Sequence, residues 1–270
     1  MHKSMPVVLA AAAVAFAAGS AQAAAVYSNL PTTPTYNVPS LGYQATSTSE
    51  LGDHVALGAG GRNLTTVSVL MSSWALESTY GTGGAGYDHD LTFNLYNVGT
   101  SASPGALIAS KTISTLVPWR PEADATCPGG TGWRAADGAC YSGMAFTVVF
   151  DFSADGVVLP DELVFGLAFN TQSYGASPMG ATGPYNSLNF GLVADAPTVG
   201  TDVDADSLFW NTSHAGFLTS GIAGQFSEDS GWTGYAPSIE IAVADVPEPA
   251  SIALAGLALA GLAAARRRRA

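Results

Sequence analysis

Three aspartates alternate in the stretch GTDVDADSLFW: Asp202, Asp204 and Asp206. Carboxylates at that spacing open the oxygen-rich loops that hold Ca2+. The rest of such a loop does not follow. Counted from Asp202, the sixth position is Ser207, where an EF-hand has glycine, and the twelfth is Ser213, where it has glutamate. In an extended segment the alternation puts all three charges on one side, which a cation or water must screen. The stretch therefore reads either as a loop calcium site or as a solvated acidic loop. A second place of this kind is YDHDL, with Asp88, His89 and Asp90. His89 has the chemistry of a metal ligand, but a single histidine between aspartates beside a glycine-rich stretch also suits a plain surface turn.

Nucleophilic, hydrolytic and phosphate chemistry leave no signature. The chain has no G-x-S-x-G elbow, no H-E-x-x-H and no phosphate loop. His54, His89 and His214 are scattered, and Asp161-Glu162 sits in LPDEL, which reads as a turn between strands. No catalytic residue is assigned, and the chain is expected not to be an enzyme. Aromatic residues offer a different chemistry. Trp119 and Trp133, at the segment bounded by the two cysteines, could stack on sugar faces through their apolar surfaces. Tyr141, Tyr174, Tyr185, Trp210 and Trp232 also fall in or near loop-like segments. The competing reading is that these rings are core and corner residues, as large aromatics usually are.

Both ends of the chain carry addresses. The start, MHKSMPVVLAAAAVAFAAGSAQA, has a weakly basic head, an apolar run and the triplet Ala21-Gln22-Ala23. That layout is a secretory signal peptide over 1–23, with cleavage expected after Ala23. Export explains the cysteine usage. The only two, Cys127 and Cys140, are expected to pair in an oxidising compartment, and a metal site would want more ligands at closer spacing.

At the other end, four of the nine Lys and Arg residues occupy Arg266, Arg267, Arg268 and Arg269. They follow fifteen uncharged residues, 251–265. As a helix that run spans roughly 22 Å, short of a hydrocarbon core of about 30 Å. Five Ile and Leu side chains at about −0.3 to −0.6 kcal/mol each supply most of the drive to insert. The expectation is a weak single transmembrane helix whose arginines act as a stop-transfer signal on the cytoplasmic side. Just before it, Val246-Pro247-Glu248-Pro249 is held extended, because each proline lacks an N–H and disfavours helix in the residue ahead of it.

Pro-Glu-Pro, a short apolar helix and a terminal arginine cluster together resemble the PEP-CTERM sorting signal of bacterial envelope proteins, over about the last 25 residues. The resemblance implies recognition by exosortase, a membrane-embedded cysteine protease or transpeptidase-like enzyme. It implies processing near Val246, Pro247, Glu248 and Pro249, after transient anchoring in the membrane. It also implies a setting of exopolysaccharide or biofilm, with delivery to the cell surface or extracellular matrix.

What must position any site is the stretch between the two ends. Composition points to strands: 47% hydrophobic, only 11% charged, with 31 glycines and 15 prolines punctuating short apolar runs. Between residues 24 and 245 four basic residues face twenty acids, a formal charge of −16 that repels nucleic acid and anionic lipid. Period-two alternation marks strands with one buried face. Val67, Val69 and Met71 share a side, as do Leu91, Phe93 and Leu95. Met144, Phe146, Val148, Phe150 and Phe152 form the cleanest set. Further strands are expected at 106–114, 163–169, 188–193 and 238–243, and no window carries a helical stripe. The predicted fold is all-β, a single jelly-roll-like β-sandwich over 51–245, preceded by a Pro/Ser/Thr-rich extended lead-in over 24–50 that could add an edge strand.

The stretches GDHVALGAGGRNLTTVSVLMSSWAL, PDELVFGLAFNTQSYG and GPYNSLNFGL also resemble secreted bacterial β-sandwich domains of unassigned function. The resulting expectation is an exported, non-enzymatic surface or matrix protein associated with exopolysaccharide. The alternatives are a carbohydrate-binding module, with or without calcium, and a polysaccharide-acting enzyme. Exosortase and the membrane are the expected partners; nucleic acid is not one, and no cofactor other than calcium is suggested.

Overall fold

The computed structural model describes residues 23–32, 35–81, 83–100 and 102–244. Along them run the strands β1 (Ala23–Ser28), β2 (Ser40–Gly42), β3 (Thr48–Ala56), β4 (Leu64–Ser73), β5 (Gly86–Asn97) and β6 (Leu107–Pro118). A short ribbon follows, β7 (Trp133–Arg134) and β8 (Cys140–Tyr141), then β9 (Met144–Asp151), β10 (Glu162–Phe169) and β11 (Leu188–Val193). The last are β12 (Thr201–Asp202), β13 (Leu208–Thr212), β14 (Ser227–Asp229), β15 (Ala236–Pro237) and β16 (Ile239–Ala244). Among the described residues the α-helical part is a single turn, α1 (Glu77–Tyr80).

Two seven-stranded antiparallel sheets form a sandwich. In the first, β4 is central. β9 lies along one side of it, β16 and then β11 share the other, and β1 sits outside β16. The second runs β14-β13-β3-β10-β5-β6, with β12 beside β13 on the same flank of β3. The alternation read from the sequence is what makes the sheets stick. Val67, Val69, Met71 and Phe150 of the first sheet and Leu91, Phe93, Leu95 and Phe165 of the second are all fully buried. Phe93 spans the interface, its ring centre 5.5 Å from Phe150 across the core and 5.8 Å from Phe165 on its own sheet. Burying a side chain of this size contributes about 1.5–3 kcal/mol, and period-two placement repeats that gain along each strand.

The expected strands at 106–114, 163–169, 188–193 and 238–243 coincide with β6, β10, β11 and β16. Residues 24–50, read as an extended lead-in that could add an edge strand, hold β1, β2 and the start of β3; β1 is the edge strand outside β16, and Val26, Tyr27 and Tyr43 are fully buried. The compact unit accordingly begins at Ala23 and ends at Asp245. The prolines and threonines of this stretch suggested little periodicity because its strands are short and separated by turns.

Cys127 and Cys140 form a disulfide, their Cα atoms 5.8 Å apart, closing the excursion that carries β7 and β8. Ala23 opens β1. Ala21, Val246, Pro247, Glu248, Pro249, the apolar segment 251–265 and Arg266–Arg269 lie outside the described residues. Among the described residues no helix is long and apolar enough to cross a membrane.

Candidate functional site

A β-bulge builds the most site-like surface of the domain. Thr48 pairs with Thr212 and Glu50 with Asn211, which leaves Ser49 as an extra residue in β3. An inserted residue breaks the in-out alternation. Thr48 stays inside, fully buried, and accepts the indole N–H of Trp210 at 2.7 Å. Ser49 and Glu50 both turn to the outer face, and Leu51 returns to the core.

Glu50 then reaches across the sheet. Its target, Asn94, lies on β5, two strands away, with β10 between them. Strands are about 4.8 Å apart, so the side chains must bridge roughly 9.6 Å. Gly166 of β10, which pairs with Gly52 on one side and Asn94 on the other, leaves the gap open. A methyl group on Gly166 would collide with the Glu50 carboxylate. Over that glycine, Glu50 Oε1 accepts Asn94 Nδ2–H at 2.8 Å and the Tyr96 hydroxyl at 2.9 Å. Asn94 is itself oriented, its amide oxygen accepting the Ser110 hydroxyl at 2.7 Å. Burial pushes the Glu50 carboxyl above its usual range, opposed by the hydrogen bonds from Asn94 and Tyr96.

The carboxylate lies at the bottom of a groove of about 480 Å³, bordered by Ser49, Thr92, Asn94, Asn211 and Ser213 and walled by Ala168, Gly175 and Ala176. Small-ligand sites usually enclose about 300–1,000 Å³. Only 8% of Glu50 is exposed, so this is a held acidic group and not a surface charge. Sequence reading passed over it. Glu50 and Asn94 are far apart in the chain, and the only local signal is a glycine inside an otherwise apolar strand.

The residues singled out from the sequence are placed differently. Asp202, Asp204 and Asp206 do not converge. Asp202 lies on β12 opposite Val55, which turns it toward the core, whereas Asp204 and Asp206 belong to an exposed turn. Within that turn the Asp206 N–H donates to the Asp204 carboxylate at 3.3 Å. Among the described residues no group of three or more His, Cys, Asp and Glu side chains is arranged to hold a metal. The strand β12 is responsible: it turns the first aspartate inward, while Asp204 and Asp206 stay on the exposed turn.

Asp202 instead turns to the side of β3 that carries Asp53, which is buried on the inner face, and its charge acts on that carboxyl. One Asp53 oxygen accepts the His54 N–H at 2.8 Å. Asp53 Oδ2, Asp202 Oδ1 and the Tyr27 hydroxyl are sealed from solvent without a partner among the described residues. Burial first, then the charges of Asp202 and Asp204, pushes the Asp53 carboxyl well above the usual carboxylate range, and Asp202 is raised as well, also chiefly by burial.

At Trp133 the sugar-stacking expectation is corrected by burial, whereas Trp119 is partly buried in a cluster of aromatic rings. Trp133 is 7% exposed and donates its indole N–H to the Gly143 carbonyl at 2.8 Å. Trp119 is half-buried, with Tyr80 and Tyr87 against it at 6.2 and 5.2 Å between ring centres. Trp210 is a strand residue of the core. These rings read as loop residues because they sit near turn-forming neighbours, yet burial of such large surfaces dominates their placement. His89 points inward from β5, its Nε2–H donating to the Asn170 carbonyl at 2.9 Å, while burial lowers its pKa and favours the neutral ring. Asp88 and Asp90 take the opposite, outer face.

Set against known proteins, the chain is matched by the family model of the PEP-CTERM protein-sorting motif over residues 245–269. No curated protein and no solved structure matches it. The chain is thus an all-β sandwich carrying a PEP-CTERM sorting motif. That motif supports an exported protein that passes through the cell envelope and is processed by exosortase.

Proposed function

We propose that the protein is a non-enzymatic component of the bacterial cell surface or extracellular matrix. The sandwich is the cargo, and the C-terminal segment is a temporary anchor removed by exosortase. The observation that carries this reading is the sorting motif at 245–269, which starts at the residue after the end of β16. A short, weakly apolar anchor suits a segment that is to be parted from its cargo. Replacing Pro247-Glu248-Pro249 with alanines is expected to leave the full-length chain in the membrane fraction. Mass spectrometry of the mature C-terminus reads the outcome; unchanged release with an unchanged C-terminal mass would refute the proposal.

A second reading, a carbohydrate-binding module that holds exopolysaccharide, is favoured by the groove at Glu50. Its lining supports binding over hydrolysis, because Glu50 is the one carboxylate bordering it, whereas glycosidic cleavage ordinarily uses two. A glycan array run with and without EDTA tests binding and any part played by calcium.

A further inference from the structure

We propose that the groove outside β3, β10 and β5 is a binding site for an uncharged sugar unit, with Glu50 as its anchoring acceptor. The inference rests on the carbohydrate-binding reading and names the ligand class and the residue that selects it.

The two oxygens of Glu50 have different roles. Oε1 is filled by Asn94 and Tyr96. Oε2 accepts no protein donor among the described residues, yet it is not one of the sealed, partnerless atoms of the domain. A side chain this buried, with one oxygen clamped and the other open to the groove it lines, is an acceptor held ready for a ligand. Its orientation is fixed from both sides. The Ser110–Asn94 relay and the Tyr96 hydroxyl set the carboxylate plane, and the absent side chain of Gly166 gives it a floor. A group positioned in this way loses little freedom when it binds.

The chemistry of the lining selects the ligand. A free carboxylate oxygen accepts hydroxyl hydrogens, and Asn211, Ser49 and Ser213 add amide and hydroxyl groups that both donate and accept. A ring rich in hydroxyls satisfies such a set. Ala168 and Ala176 supply small apolar patches for its C–H faces. A uronate or sulfate ester would face Glu50 with no Lys or Arg in the lining to compensate it, inside a domain of formal charge −16. Like charges juxtaposed in this way are a device against the wrong partner. Asn211 makes no side-chain hydrogen bond among the described residues and stands opposite Glu50 across the β3–β13 pair, so it is placed to complete the contact.

The test is titration calorimetry of the full chain in detergent against three soluble oligosaccharide sets: neutral glucans and mannans, uronate oligomers, and sulfated oligomers. Neutral sugars are expected to bind. Glu50→Gln and, separately, Asn211→Ala are expected to weaken that binding about tenfold or more, while Asp195→Asn, away from the groove, leaves it unchanged. Asn211→Ala removes a rim group that supports no other side chain, so it keeps the test valid if Glu50→Gln impairs folding. Neutral-sugar binding unaffected by both groove variants would overturn the assignment to Glu50 while leaving the carbohydrate-binding reading in place. Tighter binding of uronate or sulfated sugars would overturn the selectivity. Absence of binding to all three sets would overturn the inference and the reading beneath it together.

Discussion

Asp53→Asn, a near-isosteric change at a buried acid, should make the protein more stable at neutral pH. Asp53 is 1% exposed on the inner face of β3. The substitution keeps the oxygen that accepts the His54 N–H and puts a neutral N–H2 where Oδ2 now has no partner. Asp202, whose charge acts on Asp53 and whose Oδ1 is also sealed and partnerless, is the acceptor expected for it. Satisfying one such buried group contributes about 1–3 kcal/mol. For a domain of this size each kcal/mol moves Tm by about 2–4 °C, so a mid-range gain of about 2 kcal/mol raises Tm by about 4–8 °C.

The pH dependence follows from the raised carboxyls. Unfolded aspartates lose their proton near pH 3.9, whereas Asp53 and Asp202 keep theirs to higher pH in the fold. Above about pH 4 folding therefore takes up protons, and stability falls as pH rises towards the folded-state values. The raised acids are Asp53 and Asp202, held up chiefly by burial, with the charge of Asp204 adding to it at both. Asp53→Asn removes one of the two raised acids, so its advantage should shrink to near zero at pH 4 and widen towards pH 8. Thermal unfolding followed by circular dichroism across that range, with and without Ca2+, measures both quantities. A variant less stable than the parent at pH 7, or a Ca2+-dependent rise in Tm that Asp53→Asn abolishes, would show that these carboxylates are held as charges by a cation and would refute the reasoning.

Two further outcomes probe the fold itself. Removing the disulfide as Cys127→Ser with Cys140→Ser, which frees a loop of sequence separation 13, should cost about 3 kcal/mol on the chain-entropy account. Urea unfolding under non-reducing conditions reads it, and a change below about 1 kcal/mol would mean that the excursion is held mainly by contacts such as Trp133 with Gly143. Phe93→Ala, at the meeting point of Phe150 and Phe165, should cost about 3–5 kcal/mol in the same assay; a cost under 1 kcal/mol would place the centre of the core elsewhere.

The sandwich was legible where one face of a strand is uniformly apolar. β4, β5 and β9 announce themselves because Val69, Phe93 and Phe150 recur at every second position with polar or small residues between them. β3 does not. Its TSELGDHVA carries an inward acid in Asp53, an outward acid in Glu50, and a bulge at Ser49 that shifts the alternation midway. The features that hide the strand are those that build the groove and the buried acid pair. Glu50 and Asn94 meet only because β10 is laid between their strands with a glycine at the crossing, a coincidence of register that no local pattern contains. Asp202, Asp204 and Asp206 left a calcium site and a solvated acidic loop both open for the opposite reason: their local pattern is clear, but it does not contain the two-residue strand that turns Asp202 inward.

The pairing of the first strand with the last has a consequence for the order in which the molecule is made. Ala23 lies opposite Ala244, and Tyr27 opposite Ile241, so β1 has its main partner more than two hundred residues downstream. β16 in turn fills the place between β1 and β4. A chain threaded through the export channel from its N-terminus delivers β1 first and β16 last. Until then the leading strand has only the Gly58 N–H on Val26 and the bridge from Ser28 to Val199 to hold it, and long-range closures of this kind are slow. The sheet is completed by the six residues that emerge just ahead of the sorting motif, so closure of the cargo and arrival of its address at the membrane fall at the same moment of secretion.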